Sequence, residues 1–251
     1  MPDQNVVRIA AVGDVHCARN AESSLRPFFT DMARSADVMV LCGDLTDYGL
    51  PEEAHLLVGE LENAHSVPVL AVLGNHDFES GKQDDVRQIL CAGGVTVLDG
   101  DSCDVHGVGF AGVKGFGGGF GDRVLEPWGE EAIKVFVREG VNEALKLEAA
   151  LARLHTDKRV VVLHYSPIEA TIASEPREIF PFLGSRRLEE PINRYHATVV
   201  VHGHAHGGQP EGRTADGIPV YNVARPLLEK HQPGRPSYRL IEIPVEVAVP
   251  A

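Results

Sequence analysis

The feature that most restricts how this chain can fold is a repeated ending. Five short runs rich in apolar and β-branched residues each stop at a turn that carries Asp, His or Asn. Val6–Val12 stops at Gly13-Asp14-Val15-His16, and Val38–Cys42 at Gly43-Asp44. Val67–Leu73 stops at Gly74-Asn75-His76-Asp77, Val160–Leu163 at His164, and Thr198–Val201 at His202-Gly203-His204. Continuous apolar runs of this length suit strands buried on both faces. In open α/β sheets, ligands gather outside the carboxyl ends of strands. The five endings therefore direct the same few polar residue types toward one place, and the glycines beside most of them permit tight turns and close approach of backbone to a ligand.

The stretches between these runs predict helices over Ala21–Ser35, Pro51–Ala64, Lys82–Ala92, Glu130–His155 and Ser185–Tyr195. Pro51 suits a first helical turn. In the longest stretch Ile133, Phe136, Val137, Val141, Leu145 and Ala149 keep roughly helical spacing. The alternation of strand and helix predicts an α/β core. Further strand-like segments around Val105–Val113, Gly217–Val223 and Tyr238–Val247 can add antiparallel strands and make the sheets mixed. With no repeat or linker, residues 1–251 are expected to form a single domain. Gly107-x-Gly109-x-x-Gly112 matches the dinucleotide fingerprint as a string, but more glycine follows where a helix is needed, so no nucleotide cofactor is expected there. The glycine-rich Gly115–Gly121, with Phe116 and Phe120, reads either as a mobile loop over the site or as plain surface. Gly-x-Ser-x-Gly and CxxC are both missing, which removes serine-hydrolase and thiol-redox readings.

Composition narrows the partners. The chain is 43% hydrophobic, enough for a sizeable core, and its net charge is -13. Stable nucleic-acid binding draws on a basic surface, so no such complex is expected. A phosphorylated small molecule stays compatible, because bound cations reverse the local field. Cys17, Cys42, Cys91 and Cys103 are scattered, as free thiols in a reducing compartment are. No apolar run approaches the roughly 20 residues a membrane helix needs, and Val6–Val12 is too short for a secretory signal. The expected address is the cytoplasm.

Hard and borderline divalent metals take this mixture of carboxylate, imidazole and amide oxygen. Asp14 and His16, two apart on an extended strand end, can point the same way and grip one ion. Asp44 has two carboxylate oxygens and can bridge two ions. His202 and His204 repeat the two-residue spacing and can each serve a different ion. Any one such Asp is more often a turn former, and any one such His more often a satisfied surface or core residue. It is the ordered set that points to a metal centre.

Taken in order from Asp14 to His204, Gly-Asp-x-His, Gly-Asp, Gly-Asn-His-Asp, His and Gly-His-x-His resemble the signature of the calcineurin-like metallophosphoesterases. The resemblance implies a fold of two packed mixed β-sheets flanked by helices, an αββα sandwich, with a dinuclear metal site at the strand ends. It implies two ions (Mn, Fe or Zn), the first held by Asp14, His16, Asp44 and His204, the second by Asp44, Asn75, His164 and His202. His76 would be the non-ligating histidine beside the scissile phosphate, with Asp77 orienting it. Asp47 and His206 fall outside the matched positions and are left out of the ligand set. The implied reaction is attack of a metal-bridging hydroxide on phosphorus.

Within that family, no arginine follows Gly43-Asp44, where the protein phosphatases carry one, and the motif forms look more like bacterial phosphodiesterases, including cyclic-nucleotide ones. The nearest arginines in sequence are Arg19, Arg213 and Arg225. The expected substrate is therefore a small-molecule or cyclic-nucleotide phosphodiester, with a phosphomonoesterase or nuclease as alternatives on the same site. A non-catalytic binding scaffold on this fold would be expected to have lost ligands, and none is lost.

Overall fold

A computed structural model describes residues 5–19, 24–64, 66–122 and 124–245. The chain begins β1 (Asn5–Val12), α1 (Arg26–Ser35), β2 (Val38–Cys42), α2 (Pro51–Leu61), β3 (Val69–Val72), α3 (Gln83–Ala92) and β4 (Val95–Val97). It continues β5 (Asp101–Val105), β6 (Val108–Gly112), α4 (Glu131–Ala152), β7 (Lys158–Val162), α5 (Phe180–Leu183) and α6 (Glu189–Arg194). It closes with β8 (Val199–His202), β9 (Glu211–Arg213), β10 (Pro219–Asn222), α7 (Arg225–His231) and β11 (Arg239–Val245).

The strands form two sheets, ordered β11-β1-β2-β3-β4 and β5-β6-β7-β8-β10-β9. In the first, β1 to β4 run parallel and β11 pairs antiparallel with β1. In the second, β6, β7, β8 and β10 run parallel, while β5 and β9 are antiparallel at the two edges. Both sheets are mixed, as the late strand-like segments predict.

Strand alternation sorts the apolar side chains into layers. Ile9, Ala11, Val38, Val40, Leu70 and Val72 face the other sheet and meet Phe110, Val160, Val162 and Val201 from it. The neighbours Ala10, Val12, Met39, Leu41 and Ala71 face outward under Phe29 and Met32 of α1, Leu57 and Leu61 of α2, and Val86 and Leu90 of α3. On the far side Ala111, Val161 and Val200 pack beneath Leu147 and Leu151 of α4 and Ile192 of α6. The layers run helix, sheet, sheet, helix, and the expected αββα sandwich is what the chain adopts.

Some local expectations shift. The helix expected over Ala21–Ser35 begins at Arg26, and residues 20–23 lie outside the described ones. Ser185–Tyr195 divides into a 3₁₀ turn, Arg186–Leu188, whose Arg187 N–H donates to Ser185 Oγ, and then α6. The spacing that marks α4 coincides with its buried face only in part, at Val137. Ile133, Val141 and Leu145 are exposed, and the helix packs through Val137, Gly140, Leu147, Ala150 and Leu151. The fingerprint-like Gly107–Gly112 is the β5–β6 hairpin and β6 itself, with no helix after it. No helix of the described residues is long and apolar enough to cross a membrane.

Candidate metal centre

The polar endings named from sequence lie at the carboxyl ends of β1, β2 and β3 in one sheet and β7 and β8 in the other. Backbone hydrogen bonds lace these loops together: Asp14 N–H donates to Gly43 O (2.9 Å), His16 N–H to Asp44 O (3.0 Å), and Gly203 N–H to His164 O (3.2 Å). Among the described residues, left-handed backbone outside glycine occurs at Asp14, His16, Asp44, His106, His196 and His204. Four of those six carry site side chains. Such conformations cost about 1–3 kcal/mol each and concentrate where function over-determines the backbone. The adjacent glycines leave the room this requires. A Cβ on Gly43 would lie 2.5 Å from His164 Nδ1, and one on Gly74 would collide with the Asp44 amide and Oδ1.

Donor atoms converge in three groups: Asp14, His16 and His206; Asp44, His164 and His204; and His16, Asp47 and His76, each set lying within 4.8 Å. Asp14 is fully buried, takes two hydrogen bonds of 3.0 Å from His204 N–H, and lies 2.9 Å from His206 Nε2. His164 has Nδ1 3.0 Å from Cys42 O, an arrangement that fixes the ring and leaves Nε2 for a ligand. That Nε2 sits 2.9 Å from Asn75 Oδ1 and 3.4 Å from Asp44 Oδ1. Among the described residues, buried His16 Nδ1 has no hydrogen-bond partner, and it lies 3.5 Å from Asp47 Oδ1. An orphaned imidazole nitrogen among converging carboxylates is the environment a cation completes. The donor set fits divalent metals.

Electrostatics agree with that fit. Burial pushes His204 down to about 3 and lowers His16, so both rings stand neutral with a lone pair to give. Burial alone would raise Asp14, but the His206 hydrogen bond and the nearby imidazoles outweigh it and hold the carboxyl below the usual range. The same bond raises His206.

Three sequence assignments do not match this arrangement. His204, expected beside Asp14 and His16, groups instead with Asp44 and His164. His202 is the last residue of β8 and fully buried, with Nε2 2.8 Å from Thr171 Oγ1 and Nδ1 2.8 Å from Gly203 O. It belongs to none of the donor groups, whereas His206 does. The string Gly-His-x-His itself reads Gly203-His204-Ala205-His206, a signal that points to the second and third histidines rather than the first and second. Asp77 does not orient His76. Its carboxylate accepts from Thr46 Oγ1 (2.6 Å), Thr46 N–H (2.8 Å), Gly74 N–H (2.8 Å) and Leu45 N–H (3.2 Å), which braces the β2 loop against the β3 loop. His76 instead rests its Nδ1 2.7 Å from the Asp47 carbonyl and stands edge-on to His16, ring centres 4.6 Å apart. Its own N–H donates to Asp44 Oδ1 (2.8 Å).

Gly115–Gly121 is packed rather than free. Gly118 N–H donates to Pro181 O (2.7 Å) and Gly119 N–H to Gly184 O (2.9 Å). Phe116 of this loop and Asn75 line the same cavity.

Residues 7–208 match the family described as calcineurin-like phosphoesterase. No curated protein matches the chain significantly. Among solved structures, the phosphopantetheinyl hydrolase of Mycobacterium tuberculosis superposes with a TM-score of 0.66 at 16% identity, over 97% of this chain and 98% of that one. A purple acid phosphatase from yellow lupin (Lupinus luteus) seeds gives 0.56 at 16% identity, over 82% of this chain and 39% of that one. A structure named as a putative 5'-nucleotidase from Staphylococcus aureus gives 0.52 at 17% identity, over 87% of this chain and 48% of that one. At these identities the likeness is one of fold.

Proposed function

We infer the activity from one premise: this chain belongs to the calcineurin-like phosphoesterase family and is a metal-dependent phosphoester hydrolase. We propose that it holds two divalent ions. Asp14, His16 and His206 would take one; Asp44, Asn75, His164 and His204 would take the other, with the second Asp44 oxygen shared. When bound, such a pair supplies a water of lowered pKa and positive charge for the attacking and leaving oxygens. The chain's own residues do the rest. The left-handed turns at Asp14, Asp44 and His204 hold the donors in place before substrate arrives. His76, its ring fixed by the Asp47 carbonyl, keeps Nε2 free to donate to the leaving oxygen when the imidazole is doubly protonated.

We further propose a phosphodiester of a small molecule as substrate. The observation that carries this reading is where the guanidinium groups go. Arg19 pairs with Glu52 (2.7 Å), Arg225 with Glu229 (2.8 Å), and Arg213 donates to Gly217 O (2.8 Å). None of the three is left to clamp a phosphoryl group. A monoester, with about two negative charges, gains most from such a clamp, while a diester with one charge relies on it least. The test is kcat/KM for a 4-nitrophenyl phosphodiester and the matching monoester on one manganese-loaded preparation. The diester is expected to be faster; a clear monoester preference would overturn the diester reading and leave the family assignment standing.

A further inference from the structure

Next to the donor groups lies a cavity of about 490 Å³, within the range of about 300–1,000 Å³ usual for ligand pockets. Asn75 forms part of its wall, so it adjoins the metal centre, and Phe116, Val135, Phe136 and Tyr165 make the wall mainly apolar. Two charged groups interrupt that surface, Lys114 and Glu139. Lys114, at the end of β6 and only 9% exposed, lines this cavity and a smaller one of about 130 Å³ beside it. Its Nζ donates one hydrogen bond, to Gly115 O (3.0 Å). It sits 4.7 Å from the Phe116 ring centre, 5.2 Å from Phe78 and 5.3 Å from Tyr165.

An ammonium has three donors, and aromatic faces compensate its burial only in part. The buried carboxylate of Glu143, which lines the smaller cavity with Lys114, is otherwise engaged: it accepts from Gly115 N–H (2.8 Å) and Lys146 Nζ (2.8 Å). Glu139, half-buried on α4, also lines both cavities and keeps the region from being strongly positive. A buried cation with donors to spare, framed by aromatic rings in an apolar pocket, selects a particular kind of occupant.

We propose that this cavity receives the organic substituent of the phosphoester, and that the preferred substituent is flat, apolar and tipped with an anionic oxygen, carboxylate or phosphate, which Lys114 binds. The proposal deepens the phosphoesterase reading and rests on it for the word substrate. Lys114 is a specificity residue here, acting on the part of the molecule that does not react.

The experiment compares phenyl 4-nitrophenyl phosphate with 3-carboxyphenyl 4-nitrophenyl phosphate in turnover, and phenylphosphonate with 3-carboxyphenylphosphonate in calorimetric binding. The wild-type protein is expected to prefer the carboxylated member of each pair by about tenfold or more, the worth of one hydrogen bond to a charged group. Lys114→Met should bring both ratios close to one. Ala132→Trp, placed on the exposed first turn of α4 to fill the same cavity, should also flatten them, and it decides the matter if Lys114→Met fails to fold. Wild-type ratios near one, or ratios that survive these variants, would overturn the proposal. Hydrolysis of both diesters without preference removes the subsite and keeps the enzyme. Selective phosphonate binding without hydrolysis does the reverse.

Discussion

His202, His204 and His206 share one spacing but not one surrounding, because β8 ends at the first of them. His202 still obeys the strand and turns into the interior toward Thr171, while the other two ride the turn that follows, where His204 takes a left-handed backbone. In His206→Ala, metal content should fall from two ions per chain toward one, and turnover by at least about a hundredfold, since each ion contributes several kcal/mol of charge stabilisation. His202→Gln should keep both ions; elemental analysis of the two variants side by side checks this. The types of donor were readable from sequence because each follows a recognisable strand. Which of three equally spaced histidines leaves the strand is not fixed by their spacing, since it depends on a strand end defined by its neighbours' hydrogen bonds, and the Gly203-His204-Ala205-His206 string is the signal that marks it. Asp77 misleads for a similar reason. Adjacency to His76 suggests a partner, but the 3₁₀ turn His76–Phe78 sends the two side chains apart. Asp77→Ala should lower unfolding free energy in urea by at least about 2 kcal/mol, given about 1–3 for each buried polar group left unpaired.

The elements that matter most are the loops following parallel strands, and their tolerances are set by glycine. A methyl group at Gly74 has no space to enter, because Asp44 and the His164 ring occupy it. Gly74→Ala should therefore displace Asp44 and strip metal from the protein, measurable as lost bound metal in protein that still shows native far-ultraviolet dichroism. Gly59, inside α2 with open space around it, is the contrasting case: Gly59→Ala should add up to about 1 kcal/mol in the same assay of stability. Helix α4 shows where element-scale reading from sequence stops. Its apolar spacing announces a helix correctly, yet the face that packs includes Gly140 and Ala150, small residues that let the backbone come close to its neighbours. At Gly140 a Cβ would meet Gly117 O at 2.8 Å. Hydrophobicity alone ranks such positions below Ile133 and Leu145, which the fold leaves exposed.

At the scale of the whole molecule, the proposed ligands come from both layers of the sandwich: Asp14, His16, Asp44 and Asn75 from the sheet of β1 to β4, and His164, His204 and His206 from the other. Bound ions would cross-link the two sheets at one rim, beyond what the apolar layer between them provides. Removing them with a chelator should lower the melting temperature, with a stability loss of about 2.7 kcal/mol for an ion present at a hundred times its dissociation constant. Readdition of manganese should restore it, as differential scanning calorimetry would record. The left-to-right order of these donors along the chain has a consequence for biosynthesis. They stretch from residue 14 to residue 206, so a nascent polypeptide leaving the ribosome has no complete nest for either ion until the eighth strand has emerged and docked. Pairings between such distant segments form late and slowly. Metal uptake would then act as a certificate that assembly is finished, and a truncated or stalled chain would leave the cell's free metal untouched.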